Sequence, residues 1–252
     1  KGELMRHFLF IVIMAIISIP SQALRVELSN DTFSMTGRAA NRNLFVTNNS
    51  EKMIALEVYA QSRVMDEVTG VDELEDVEDF LIYPNQLLLQ PDEQQVVTLT
   101  WVGSQELTEE KAFRIIVEEL NLSLGDEEES DDMTVKVAAL TKVVKAAYVA
   151  PENARANVEI SNVQVITDAS TSEKKIRVTF NNSGTAHKIL KQTSIKLTPI
   201  DENGKKVGAE TKEFIPNELN GVINILAKSQ RMVDLSWPDG ISNAYTAIHV
   251  SL

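Results

Sequence analysis

The chain has 252 residues with 37 acidic and 24 basic side chains, a formal net charge of −13, and no cysteine. This acidity argues against nucleic acid or an anionic membrane surface as a partner. Because no disulfide can cross-link the chain, hydrophobic cores must stabilise it. Its length suits two domains of ordinary size.

The N-terminal segment predicts export. Arg6 precedes an uncharged apolar stretch at 8–17, and the small residues Ser21 and Ala23 follow Pro20. This order is typical of a cleavable secretory signal peptide, so residues 1–23 are interpreted as a leader and the protein as exported. Such a short stretch covers only about half of a bilayer core as a helix, which makes a permanent anchor the weaker alternative.

After Ala23, short β-type runs separated by turn residues predict an antiparallel sandwich. Helix is expected only around 105–111, as a turn or a short cap. The predicted strands of this first domain lie at 24–28, 43–48, 53–61, 80–84, 86–90, 96–101 and 112–120.

Residues 133–145 predict one long strand with apolar side chains on both faces. One face belongs in the core of the strand's own domain, and the other is either further core or a surface offered to a partner. The odd positions carry Met133, Val135, Val137, Ala139 and Val143, and the even positions carry Ala138, Leu140 and Val144.

Pro151 marks the seam between two domains, because it ends strand pairing and its neighbours are small and polar. The predicted domains are therefore 24–151 and 152–252. A turn at 201–204 joins two strands of the second domain as a hairpin. The strands predicted there are 157–166, 174–181, 194–200, 212–216, 232–237 and 245–252.

Two acidic stretches, at 66–79 and 126–132, raise the question of a metal site. Neither has the oxygen spacing and central glycine of a calcium loop, so both are interpreted as solvated, mobile loops. His187 and His249 belong to no recognisable catalytic motif and are interpreted as surface or satisfied sheet residues. We therefore expect no enzymatic activity, no metal and no cofactor.

The order of several segments resembles the first domain of the periplasmic chaperones of chaperone–usher pili. The motif FLIYPNQLLLQPDEQQVVTLTW (80–101) precedes AFRIIVEEL (112–120), and both precede VKVAALTKVVKAAYVAP (135–151). In the second domain, VTFNNSGTAHKIL (178–190) is similar to a strand and turn of the same family. The residues that fill the first two motifs are Pro84, Leu89, Pro91, Gln95 and Val97, then Phe113, Arg114, Glu118 and Glu119.

The resemblance implies two immunoglobulin-like β-sandwich domains joined at a hinge, and a periplasmic chaperone that works by donor-strand complementation. Its partners would be pilus subunits and an outer-membrane usher, and the free protein would be able to cap itself as a dimer. Ala138, Leu140 and Val144 would hold the lending strand in its own sheet. The side chains lent to the subunit would be Met133, Val135, Val137 and Ala139.

The family also anchors the subunit's C-terminal carboxylate in the cleft between the domains, with an Arg from the first strand and a Lys from the lending strand. Lys145 is the best candidate here, with Lys142 next. The expected Arg position falls near Asn30, and the nearest basic residue is Arg25, a departure that suggests a divergent branch. The lysines would otherwise be ordinary solvated residues, and the alternative function is an exported two-sandwich adhesion or structural module.

Overall fold

The computed structural model describes residues 23–121, 140–208, 211–219 and 223–252. Within these ranges the chain is all-β, and its helical content is two short 3₁₀ turns, Arg38–Ala40 and Asn217–Leu219. The expected fold class is therefore confirmed. The predicted signal peptide lies outside the described residues. The chain around 105–110 forms bends but no helix.

The first domain contains two packed sheets. Their strands are β1 (Leu24–Leu28), β2 (Thr32–Phe33), β3 (Asn41–Asn48), β4 (Ile54–Met65), β5 (Asp72–Asp76), β6 (Phe80–Tyr83), β7 (Gln86–Leu89), β8 (Gln94–Trp101), β9 (Lys111–Glu119) and β10 (Lys142–Val149). One sheet has the strand order β1-β3-β8-β6, and the other has the order β2-β10-β9-β4-β5, with β7 paired to β4.

Alternating apolar side chains of these strands meet in one core. The centre holds four aromatic rings, those of Phe33, Phe80, Trp101 and Phe113, whose neighbouring centroids lie 5.1–5.5 Å apart. Such edge-to-face pairs add to the burial of large apolar surfaces. The buried core residues all fall between Leu24 and Val149.

The second domain has its own core, whose buried residues fall between Ile176 and Val250. Its strands are β11 (Val158–Thr167), β12 (Lys174–Asn182), β13 (Lys188–Leu190), β14 (Ile195–Pro199), β15 (Lys212–Phe214), β16 (Ile223–Ile225), β17 (Gln230–Ser236) and β18 (Ile248–Ser251). The described strands form three sheets with the orders β11-β12-β17, β13-β16 and β15-β14-β18. The turn at 201–204 forms as expected, with Gly204 N donating to Asp201 O at 2.9 Å.

The acidic stretch 66–79 is not a mobile loop, which corrects the sequence-based interpretation. Its residues Asp72–Asp76 form β5, which pairs antiparallel with the end of β4. Asp66 caps the connecting turn by accepting from the backbone N–H groups of Val68 and Thr69. The sequence did not predict this edge strand because its side chains are mostly exposed and acidic. The same composition is also typical of a solvated loop. The second acidic stretch, 126–132, lies outside the described residues.

Candidate functional site

One edge of β10 is a candidate binding feature of the first domain. This strand pairs with β9 along its whole length, from Lys142 to Val149. On its other side, the described partner is β2, which pairs only with Tyr148 and Val149. Among the described residues, the backbone from Lys142 to Ala147 therefore presents an open strand edge, the kind of edge that can accept a strand from another chain.

The pleat of β10 places its two valines on opposite faces. Val143 lies opposite Val117 of β9 and packs against the core of the first domain. Val144, opposite Ile116, is 44% exposed, and Leu140 is 49% exposed. The expectation that Leu140 and Val144 hold the strand in its own sheet is therefore wrong. Apolar residues on both faces of a strand do not reveal which face is buried, and here the packing of Val143 against the core shows it.

The predicted lent side chains, Met133, Val135, Val137 and Ala139, lie outside the described residues. What is described is β10, which begins at Lys142, three residues after Ala139. It ends at Val149, so it extends four residues beyond the predicted end at 145.

The three predicted carboxylate anchors line one groove. Arg25, Lys142 and Lys145 surround an open space of about 650 Å³ between the edges of β1 and β10. Lys145 also lines a neighbouring groove of about 570 Å³ with Ser29 and Asp31. Both grooves lie within the first domain, whereas the resemblance implied a position in the cleft between the domains. The fold thus brings the three cations together, but at the strand edges.

Two of these cations already hold a carboxylate. Arg25 donates to Glu27 Oε1 at 2.6 Å, an exposed pair on the same strand. Lys142 Nζ lies 3.3 Å from Glu118 Oε2 and donates to the hydroxyl of Tyr59 at 3.1 Å. That tyrosine hydroxyl raises the pKa of Lys142 and, by donating to Glu118 at 2.5 Å, lowers the pKa of Glu118. In the described parts of the chain, Lys145 forms no ion pair.

The cleft between the domains contains two arginines that the sequence did not point to as anchors. Arg63 Nε donates to Asp72 Oδ1 at 2.7 Å, and Arg114 donates to Asp72 Oδ2 through Nε and Nη2 at 2.8 and 2.5 Å. The Arg63 side chain is only 5% exposed. A single arginine in the apolar run of β4 was the available signal, but its partner Asp72 was hidden in the acidic stretch 66–79.

Beside this ion triad, a few side chains connect the two domains at the hinge. The rings of Tyr148 and His187 stack with centroids 3.8 Å apart. Asn224 Nδ2 donates to the Tyr148 hydroxyl at 2.6 Å, and His187 Nδ1 lies 2.7 Å from Glu110 Oε1. Burial raises the pKa of Tyr148. His187 is therefore neither a surface residue nor an ordinary sheet residue, because it lies at the junction of the domains.

A cavity of about 370 Å³ lies between the domains, with Arg63, Glu110 and Phe113 on one side and Leu226 and Ala227 on the other. The described ranges contain no group of three or more His, Cys, Asp or Glu side chains arranged to hold a metal ion. No helix in the same ranges is long and apolar enough to cross a membrane.

Comparison with known proteins points to one family. Residues 25–145 match the family model described as pili and flagellar-assembly chaperone, PapD N-terminal domain. No curated protein matches the chain.

Solved structures with similar folds include the CsuC–CsuE chaperone–tip adhesion subunit pre-assembly complex from archaic chaperone-usher Csu pili of Acinetobacter baumannii. The match has a TM-score of 0.51 and 11% identity, and it covers 86% of this chain and 90% of the other. The match to the SafA pilin–SafB chaperone complex of Salmonella enterica has a TM-score of 0.48 and 11% identity, and it covers 85% of each chain. The match to the E. coli chaperone DraB has a TM-score of 0.48 and 12% identity, and it covers 86% of this chain and 88% of the other. At 11% identity, the likeness to the Csu complex is evidence for the two-domain immunoglobulin-like fold alone.

Proposed function

The first domain of this chain belongs to the pilus and flagellar-assembly chaperone family, and on that premise we propose that the protein is a periplasmic chaperone of pilus subunits. It captures a subunit by donor-strand complementation, keeps it from aggregating and delivers it to an outer-membrane usher. Family membership also argues against an enzyme.

The observation that carries this proposal is the open edge of β10 from Lys142 to Ala147. A pilus subunit that lacks one strand exposes unpaired backbone groups and an apolar groove, both of which favour aggregation. The edge of β10 offers the matching N–H and C=O groups on a strand that β9 holds firmly on its other side. Strand addition at this edge satisfies the backbone groups of both proteins.

Side chains of the lending segment supply the apolar part of the contact. We propose Met133, Val135, Val137 and Ala139 for this role, in the segment that leads into β10. Because Val143 of β10 packs against the core, this proposal requires the alternation of the two faces to change between Ala139 and the start of β10 at Lys142. Burying such a side chain contributes about 1.5–3 kcal/mol before the ordering of both partners is subtracted. A few of these side chains together are enough to hold a subunit that also pairs through its backbone.

The groove between β1 and β10 supports a second contact, with the C-terminal carboxylate of the subunit. We propose Lys145 as the principal anchor, because Arg25 and Lys142 already hold Glu27 and Glu118. A charge-assisted hydrogen bond to a terminal carboxylate fixes the register of the added strand, since only the last residue of the subunit can make it.

Replacing Val135 and Val137 together by Asp tests the donor side chains. We expect the variant to stay folded and to lose its complex with the subunit, because two carboxylates would enter an apolar groove. The measurement is co-purification from periplasm, with circular dichroism as the check on folding.

The matched control places the same two charges on the other sheet, at Leu81 and Val96, which are 59% and 44% exposed. This variant should retain the complex. If the Val135 and Val137 variant unfolds, these side chains belong to the core of the first domain. If the wild-type protein captures no subunit, the exported adhesion or structural module becomes the better interpretation.

A further inference from the structure

The hairpin formed by β4 and β5 reaches from the first domain to the second. Its turn, residues 66–71, presents backbone carbonyl groups to Arg231 of β17. The Arg231 guanidinium donates to Val68 O and Thr69 O, each at 3.2 Å, and Met232 N donates to Glu67 O at 2.8 Å. Gly70 has a φ of +70°, and the guanidinium occupies the space that a Cβ there would need. The turn and the Arg231 guanidinium are therefore complementary in shape, since a side chain at position 70 would clash with the guanidinium.

The same hairpin is fixed at its base by the cleft arginines. Asp72, the first residue of β5, accepts hydrogen bonds from both Arg63 and Arg114. Only one residue separates it from Gly70. A guanidinium–carboxylate pair of this geometry is directional, so the position of Asp72 determines where the turn meets Arg231.

Several other contacts between the described parts of the two domains lie close to the hinge itself. Tyr148, which stacks on His187, is three residues before Pro151. Thr185 accepts a hydrogen bond from Arg155 N in the linker and bonds through its carbonyl oxygen to Glu110 N. Contacts at the hinge join the domains but leave rotation about it open. The contact of the β4–β5 hairpin with Arg231 is a second point of attachment between the domains, and it lies on a different element from the hinge.

We propose that the β4–β5 hairpin is a clasp that sets the orientation of the second domain, and that Asp72 couples this clasp to the arginine pair in the cleft. Releasing either the base at Asp72 or the tip at Arg231 lets the second domain turn about its hinge. The clasp belongs to the free protein, and its action does not depend on whether the cleft receives a pilus subunit.

The experiment measures the distance between the two domains in the free protein. The chain has no cysteine, so Glu51→Cys and Glu202→Cys, two exposed turn positions, introduce unique sites for spin labels. Double electron–electron resonance then gives the distance distribution. We expect Asp72→Asn and Arg231→Met each to broaden it relative to the parent. The double variant should be no broader than Arg231→Met alone, because both changes open the same clasp.

Asp76→Asn is the matched control, since Asp76 lies on the same strand and accepts a hydrogen bond from Gln61 Nε2 at 2.8 Å within the first domain. It should leave the distribution unchanged. If Arg231→Met leaves the parental distribution intact, the clasp is refuted. If Asp72→Asn leaves it intact, or if the two broadenings add, the coupling is refuted. Should Asp72→Asn fail to fold, Arg114→Gln releases the base from the other side and must meet the same criteria.

Discussion

Arg25, Lys142 and Lys145 lie around one groove but differ in the partners that they already have. Arg25 and Lys142 are neutralised by Glu27 and Glu118, and Tyr59 further orients Lys142. Lys145 is half-buried and forms no ion pair within the described ranges. A half-buried ammonium group without a carboxylate is the best placed of the three to gain from an incoming one.

Lys145→Ala should therefore weaken subunit capture more than Lys142→Ala or Arg25→Ala. Losing one partner of a desolvated ion pair costs about 2–5 kcal/mol, which lowers complex yield by roughly tenfold or more. Pull-down of the subunit by each variant measures the effect.

A subunit that lacks its last residue supplies the control for this prediction. Because both changes remove the same contact, truncation should add little further loss to Lys145→Ala. Full additivity would show that another cation holds the carboxylate, and Lys142 and Arg25 would then be the next residues to change.

At the level of elements, alternation and turn chemistry in the sequence were enough to predict most strands of both sandwiches. Strands such as β1, β8 and β9 carry apolar residues at every second position between polar turns. The sequence did not reveal β5, because its acidic side chains stay in solvent and its stability comes from pairing with β4. Nor did it show that Asp72 and Arg63 meet, since their contact depends on the path of that hairpin.

The strand β10 shows a second limit of sequence reasoning, the choice of the buried face. We expect Val143→Asp to lower the melting temperature by roughly 10 °C or more, because it places a charge against the core of the first domain. Val144→Asp should change it little, because that side chain faces solvent. Thermal unfolding followed by circular dichroism distinguishes the two. The reverse order of effects would mean that the register of β10 on β9 differs from the one described.

The whole molecule has two separate hydrophobic cores with a junction between them. This raises the question of whether the two domains unfold together or one after the other. Each core is closed within its own domain, and the junction contacts described above are polar or stacked. Interfaces of this kind allow relative motion unless specific contacts restrain it. At the hinge, the restraint is provided by His187, which stacks on Tyr148 and bonds to Glu110.

His187→Ala should therefore loosen the coupling between the domains while leaving both cores intact. It removes the stacked ring and the side-chain partner of Glu110, a buried carboxylate, at a cost of about 1–3 kcal/mol. Scanning calorimetry should show the second domain melting earlier and the unfolding peak becoming broader or splitting. His249→Ala is the matched control, because His249 is an exposed residue of β18, where it lies opposite Thr198 of the same domain. An unchanged peak shape in the His187 variant would mean that the remaining contacts, such as those of the hairpin with Arg231 and of Asn224 with Tyr148, couple the two domains.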